Sequence, residues 1–122
     1  MIVDSVIGKL LEKDTLKPSL TMGRPKVLVV GVAFKPGQNV LSNSPGIQMI
    51  DHLLCRWEAD VSFADPLVMG DAVPQVPRLC VETDWNSRGL GRFDAVIVVI
   101  KQVGLDFGVL DALEGTLVQW CT

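Results

Sequence analysis

Cysteine and histidine are scarce in this chain of 122 residues, which contains three cysteines and one histidine. No C-x-x-C pair is formed by Cys55, Cys80 and Cys121, so neither a disulfide framework nor a zinc site is indicated. Their apolar sequence contexts predict packing in the core rather than nucleophilic reactivity. The lone His52 has no second histidine with which to complete a metal set, and no catalytic triad can be assembled. A reducing cytoplasm is the compartment we expect.

Long apolar runs and an excess of basic charge are also missing. No apolar run approaches the roughly 20 residues that a membrane-spanning helix needs, so no membrane partner is expected. The net charge is −3 and the basic residues are scattered, which argues against a nucleic-acid partner. Asp4 stands where a secretory signal would carry positive charge, and this argues against such a signal.

Apolar residues are abundant by contrast, at 48% of the chain, which is enough for one domain with a packed core. Apolar residues at helical spacing predict a short amphipathic helix over residues 2–11. The polar, proline-containing stretch that follows predicts a linker ahead of a domain of residues 25–122. The apolar stripe of this helix has three possible partners, namely the same domain, an upstream domain and a second subunit.

Predicted strands and helices alternate along the rest of the chain. Strands are predicted at Lys26–Phe34, Asp60–Ala64, Asp94–Ile100 and Thr116–Trp120, with a possible short strand at Arg78–Val81. Helices are predicted at Gly46–Trp57, with Ser44 as N-cap and Pro45 in its first turn, and at Leu105–Leu113. This alternation predicts an α/β protein with a small Rossmann-like three-layer fold and a mainly parallel sheet.

The loop after the first strand is the strongest candidate for a binding site. A strand that leads through a loop to a helix N-terminus is a common anion site in α/β proteins. Lys35, at the carboxyl end of that strand, is therefore a candidate phosphate contact, although a solvated loop lysine is the alternative. Ser44 lies beside the helix N–H groups, but helix capping is a sufficient role for it. Asp65 could contact a ribose or simply begin a turn before Pro66.

The glycines of this loop do not form a dinucleotide fingerprint. Gly31 and Gly37 are separated by a segment that does not read G-x-G-x-x-G, and no G-x-x-x-x-G-K-[ST] segment occurs either. We therefore do not expect the loop to bind NAD by itself.

The motifs in this region, taken together, resemble the C-terminal domain of the UDP-glucose/GDP-mannose dehydrogenases. The family typically reads GxAFKP, then LRESP, then a helix and a strand that ends in DP. The matching segments here are Gly31-Val-Ala-Phe-Lys-Pro36, Leu41 to Pro45, and the strand that ends in Asp65-Pro66. The similarity covers roughly residues 24–120, and the order of the three motifs is more specific than any one of them.

The resemblance implies an NAD-dependent oxidoreductase that oxidises the C6 alcohol of a nucleotide sugar to a carboxylate, a step that supplies polysaccharide precursors. In such enzymes an N-terminal domain holds NAD, a cysteine forms a thioester, and a central helix builds the dimer. Residues 1–24 would then be the end of the connecting helix and a linker, and residues 25–122 the UDP-sugar-binding domain. The implied substrate-binding residues are Phe34, Lys35, Pro36, Gly37, Gln38, Asn39, Val40, Leu41 and Ser44.

The chain departs from the family pattern at several positions. Ser42 replaces the arginine of LRESP that reaches toward NAD, so it is assigned only a weak cofactor contact. Gln102 stands where a histidine is frequent, and the family's D-G-R segment is not matched after Gln119. The NAD fingerprint and the catalytic cysteine belong to regions that this chain does not contain.

Two hypotheses follow. The first is a substrate-binding domain of a nucleotide-sugar 6-dehydrogenase, inactive as an isolated chain, which works with a separate N-terminal NAD domain or as a homo-oligomer through its N-terminal helix. The second is a non-catalytic interaction or oligomerisation module that retains the fold.

Overall fold

The computed structural model describes residues 25–113 and 115–121. Within them lies a sheet of four parallel strands in the order β2-β1-β3-β4. The strands are β1 (Lys26–Val30), β2 (Asp60–Ala64), β3 (Ala95–Val98) and β4 (Leu117–Trp120). The predicted small α/β fold with a parallel sheet is confirmed. The helix predicted at residues 2–11 and its linker lie outside the described residues.

The central strand β1 is buried on both faces, as its uninterrupted apolar sequence predicts. Residues 27–30 are fully buried, and β1 pairs with β2 on one side and with β3 on the other. Strand β4 is at one end of the sheet, and its residues are half-buried or exposed. Because parallel strands align their carboxyl ends, the segments that follow the four strands begin at the same edge.

One face of the sheet is covered by helix α1 (Pro45–Arg56), which begins as its sequence predicts. The Ser44 hydroxyl accepts a hydrogen bond from the Ile47 N–H at 3.4 Å, and Pro45 occupies the first helical position. Ile50 and Leu53 are fully buried against the sheet. Burial of each such side chain contributes about 1.5–3 kcal/mol. The predicted helix is confirmed to within one residue at either end.

The opposite face is covered by shorter elements. Helices α2 (Val81–Asp84) and α3 (Ser87–Leu90) precede β3, and a 3-10 helix (Phe107–Ala112) precedes β4. Leu90 and Leu110 are the buried anchors of this layer. A further 3-10 turn, Gly70–Ala72, follows β2. No helix among the described residues is long and apolar enough to cross a bilayer.

Two strands end earlier than the sequence predicts. The strands predicted to reach Phe34 and Ile100 end at Val30 and Val98. The first ends because Gly31 takes a φ of +80°, a left-handed conformation that breaks the strand. The Gly31 N–H still donates to the Ala64 carbonyl at 2.9 Å.

Two other predicted elements were also wrong. Arg78 forms only an isolated bridge with Phe63, and the chain then turns into α2 instead of continuing as the strand predicted at Arg78–Val81. The helix predicted at Leu105–Leu113 is a 3-10 helix. There the Asp106 side chain accepts the Gly108 N–H at 3.0 Å, and glycine is a poor helix former, so an α-helical first turn is disfavoured.

Cys55 and Cys80 do not pack in the core as predicted, since both are exposed, whereas Cys121 is half-buried and packs against the core. Consecutive side chains on a helix point about 100° apart, so an apolar neighbour in the sequence does not bring Cys55 into the core. Burial raises the pKa of the Cys121 thiol above its ordinary value, which lowers the fraction of reactive thiolate at neutral pH.

This difference between the thiols predicts an order of modification. We expect a thiol reagent at mildly alkaline pH to modify Cys55 and Cys80 in a fast phase and Cys121 in a slower one, since Cys121 is less accessible and its burial raises the pKa of its thiol. Mass spectrometry of peptides from timed samples would measure the order. Modification of Cys121 as fast as the other two would contradict the structure.

Candidate functional site

The strand order places a topological switch point between β1 and β3 at the carboxyl edge of the sheet, and we refer to this place as the crevice. The connection after β1 carries α1 on one face of the sheet, whereas the connection after β3 carries the 3-10 helix on the other face. The two connections therefore diverge from the point where β1 and β3 adjoin. Topological switch points of this kind are where open α/β sheets bind their ligands. The crevice is the first place in this fold where a ligand site is expected.

A tight loop of residues 31–44 forms one wall of the crevice. Its base is closed by the Phe34 N–H, which donates to the Val40 carbonyl at 2.7 Å. Its tip is a β-turn from Lys35 to Gln38, with Pro36 in the second position and Gly37, at a φ of +80°, in the third. Proline and glycine in these positions are typical of a type II turn. The sequence Lys-Pro-Gly therefore determines the shape of the loop tip.

Asp65 is the residue on which the loop is anchored. It follows β2 directly, and it is fully buried. Its Oδ2 accepts the N–H groups of Val32 at 3.0 Å and Ala33 at 3.2 Å, and its Oδ1 accepts the N–H of Leu67 at 2.9 Å. The carboxylate oxygens thus serve the protein's own backbone. Of the two roles that the sequence left open, the structure supports the turn-forming one rather than contact with a ribose.

Gln102 connects the same loop to the segment after β3. It is almost fully buried, and its Nε2 donates to Asp65 Oδ2 at 3.0 Å and to the Gln38 carbonyl at 3.1 Å. Its Oε1 accepts the N–H groups of Gly37 at 2.7 Å and of Val103 at 3.0 Å. The Gln102 side chain therefore donates two hydrogen bonds and accepts two. It holds the loop tip against the carboxyl end of β3.

The predicted substrate-binding residues lie mostly on the open side of this loop. Residues 34–40 are exposed, and Leu41 is half-buried. The Lys35 ammonium lies 5.7 Å from the centroid of the Phe34 ring and is open to solvent. Beside the tip, an open cavity of about 270 Å³ is lined by Gly37, Gln38, Asn39 and Leu67. Ser42, the predicted weak cofactor contact, is exposed near the end of the loop.

Ser44 does not share this open surface. Its side chain is 1% exposed; the hydroxyl donates to the Val32 carbonyl and accepts the Ile47 N–H. Gly46 is buried so closely that a Cβ there would lie 3.0 Å from the Val32 Cα. The start of α1 therefore packs directly on the loop. Ser44 acts on the shape of the site, by joining α1 to the loop, rather than through a free hydroxyl.

The same packing bears on NAD. In a dinucleotide fold the glycines of the first loop let the pyrophosphate approach the backbone at the helix N-terminus. The close packing of Gly46 on residues 31–32 is compatible with such a fold, but the loop lacks the G-x-G-x-x-G glycines. The residues of this loop therefore do not fit NAD in that mode. No group of three or more His, Cys, Asp or Glu side chains in the described part of the chain could hold a metal ion.

Large apolar side chains are exposed on the segments at the carboxyl edge of the sheet. The large hydrophobic residues exposed in the described ranges all lie at or after the carboxyl ends of strands, and they are Phe34, Val40, Leu67, Met69, Val103 and Trp120. Exposed apolar surface gathered on one side of a molecule is typical of binding and interaction sites. We refer to these six residues as the apolar rim.

In the sequence Gln102 stands out only as a departure from the family pattern, and Asp65 fits either a ribose contact or a turn. The two residues are 37 positions apart, and nothing in the local sequence of either predicts that they touch. The one available signal was that Asp65 directly follows β2 and Gln102 comes four residues after β3, and the carboxyl ends of strands meet in a parallel sheet.

The parallel sheet and its switch point define a small Rossmann-like domain with a candidate ligand site at its carboxyl edge. A family model, described as UDP-glucose/GDP-mannose dehydrogenase family, UDP binding domain, matches residues 28–111. The match covers more than half of the chain, so this protein belongs to that family. The resemblance read from the motifs is thereby confirmed. No curated protein and no solved structure gives a significant match.

Proposed function

We propose that this domain binds the nucleoside diphosphate of a UDP-sugar in the crevice between β1 and β3. In this proposal it serves as the substrate-binding part of an NAD-dependent nucleotide-sugar 6-dehydrogenase, with NAD and the nucleophilic cysteine supplied by another domain. The isolated chain would then be inactive. The observation that carries the proposal is the family match across the loop whose tip exposes Lys35.

The geometry supports the binding half of this proposal. Asp65 holds the start of the loop and Gln102 holds its tip without use of the Lys35 side chain, so that ammonium group is available to a ligand. A positive charge on a pre-shaped loop interacts with a diphosphate at little cost in ordering. The amide side chains of Gln38 and Asn39 line the adjoining cavity, where they could accept and donate hydrogen bonds to ligand hydroxyls.

The domain's contribution to oxidation would be positional. A site that holds the diphosphate fixes where the sugar C6 lies relative to the hydride acceptor, and such orientation can lower a barrier by several kcal/mol. Nothing in the crevice needs to transfer a proton for this role. The assignments to the cytoplasm and to the supply of polysaccharide precursors belong to the same proposal.

Calorimetric titration with UDP tests the binding site directly. We expect saturable binding by the 122-residue chain, weakened about ten-fold by Lys35→Ala, which corresponds to about 1.4 kcal/mol. Lys26→Ala is the matched control, because Lys26 is an exposed lysine at the opposite edge of the sheet. Absence of binding by the folded wild-type chain, or equal loss in both variants, would reject a UDP site at Lys35.

The second candidate function is a non-catalytic interaction module, and the apolar rim favours it. If the crevice binds no nucleotide, these six exposed side chains still present a surface that a protein partner could cover. Sedimentation of the wild-type chain over a range of concentrations would then be informative. Self-association without UDP binding would support this second candidate over the first.

A further inference from the structure

An aromatic residue with a cation beside it lies at the same edge as the loop of Lys35. Trp120, the last residue of β4, is 37% exposed, and the Lys101 ammonium lies 5.3 Å from the centroid of its ring. The Phe107 ring centroid is 6.1 Å from that of Trp120. None of these contacts is needed to explain how the loop of Lys35 is held.

The indole is braced by a small aromatic cluster. Phe107 packs edge-to-face on Trp85, with ring centroids 6.0 Å apart. The Trp85 indole N–H donates to the Asp106 carbonyl at 2.8 Å, so the cluster is tied to the backbone next to the 3-10 helix. Trp120 is therefore a partly exposed aromatic plane on a packed support. Such a plane loses little conformational entropy when a flat ligand group stacks on it.

The strand order places Trp120 and the loop of Lys35 at the same edge of the sheet. Strands β1 and β4 are separated by β3, and two strand spacings amount to about 10 Å. The loop that carries Lys35 follows β1, and the Gln102 side chain holds its tip against the end of β3. A nucleoside that extends across β3 from a diphosphate at Lys35 would run toward the exposed indole of Trp120.

We propose that Trp120 and Lys101 form the base-binding half of the site, in which the uracil ring stacks on the indole and Lys101 meets the charge of the phosphates. This inference rests on the proposed UDP function and extends it to residues outside the loop of Lys35. An aromatic plane with an adjacent cation provides both interactions that bind nucleotides independently of hydrogen-bond readout, namely stacking and charge attraction. Lys101 is exposed and free to leave the ring for a phosphate.

Calorimetry and tryptophan fluorescence together test this inference on the full chain with UDP as the probe. We expect Trp120→Leu to weaken UDP binding about ten-fold, and Trp120→Phe to weaken it less than about three-fold, because an aromatic plane remains. Lys101→Ala should weaken binding by about five-fold, whereas Lys26→Ala, which removes the same charge from the opposite edge, should not.

Quenching of tryptophan fluorescence by UDP provides a second readout, which a loss of packing alone would not produce. UDP should quench tryptophan emission of the wild-type chain with the same Kd as calorimetry, because a stacked base quenches an indole directly. The quench should be absent in Trp120→Phe, although that variant still binds UDP. Trp57 and Trp85 remain in it as internal references, and its thermal unfolding should match that of the wild-type chain.

The outcomes separate this inference from the proposed function. Wild-type binding that falls with Lys35→Ala but not with Trp120→Leu or Lys101→Ala would keep the UDP site and overturn the base-binding role. A quench that persists in Trp120→Phe would overturn it as well. If the wild-type chain binds no UDP, both proposals fail together, and calorimetry alone shows it. Should Trp120→Leu fail to fold, Trp120→Phe and Lys101→Ala still decide the question.

Discussion

Asp65→Asn is expected to lower the free energy of unfolding by about 3 kcal/mol. The carboxylate accepts four hydrogen bonds, three of them through Oδ2 and one through Oδ1. An amide in the same place must direct its NH₂ group at one of the two sets of donors. In either orientation at least one buried N–H faces another donor, and the charge that strengthens the remaining bonds is lost.

Urea denaturation at neutral pH would measure this change, with Asp111→Asn as the control. Asp111 is exposed on the 3-10 helix, so its amide variant removes the same charge without disturbing a buried network, and its stability should stay within about 0.5 kcal/mol of wild type. An Asp65→Asn protein as stable as Asp111→Asn would show that the network is dispensable. We also expect weaker UDP binding by Asp65→Asn, because the loop loses its anchor.

Gly31→Ala is expected to cost about 3–5 kcal/mol, from strain and steric overlap together. The φ of Gly31 is +80°, a region that residues with a side chain rarely adopt. A Cβ at this position would lie 2.4 Å from both the carbonyl oxygen and the Cγ1 of Ile100. The backbone oxygen cannot move away without shifting the segment that follows β3, so the overlap is not relieved by a change of rotamer.

Gly70→Ala is the matched control for this substitution. A Cβ at Gly70 would make ordinary contact at 3.6 Å with the Arg78 side chain, and no positive φ is required there. We expect that variant to be as stable as wild type or slightly more stable, since alanine restricts the unfolded chain. Thermal unfolding of the two variants in parallel makes the comparison. Equal stability of Gly31→Ala and Gly70→Ala would contradict the observed turn after β1.

Elements whose sequence pattern agrees with their packing were predicted well. The Ser44-Pro45 start and the apolar stripe of α1 are local signals, and the helix begins and ends within one residue of its prediction. Strand β2 was predicted with its observed bounds, because an apolar pattern of one strand length is closed by Asp65-Pro66. In both cases the residues that determine the element lie within it or next to it.

Elements that depend on distant contacts were predicted less well. The apolar run after Val30 continues to Phe34, yet the strand ends because Gly31 must fit against Ile100, which is far away in sequence. The segment at Arg78 has the composition of a strand, but only one residue finds a strand partner. Short apolar segments are ambiguous until the sheet around them is known.

The sequence by itself determined the class of this protein. Continuous apolar strands that alternate with capped or proline-bounded segments permit little other than a parallel α/β sheet, and the motif series identified the family that the model match confirms. Tertiary structure alone decided how the candidate site is held and what else lies beside it. Asp65 meets Gln102 across 37 positions, and Lys101 meets Trp120, only because parallel strands carry their carboxyl ends to one edge. Local sequence cannot encode such contacts, since their partners are chosen by strand order and not by proximity along the chain.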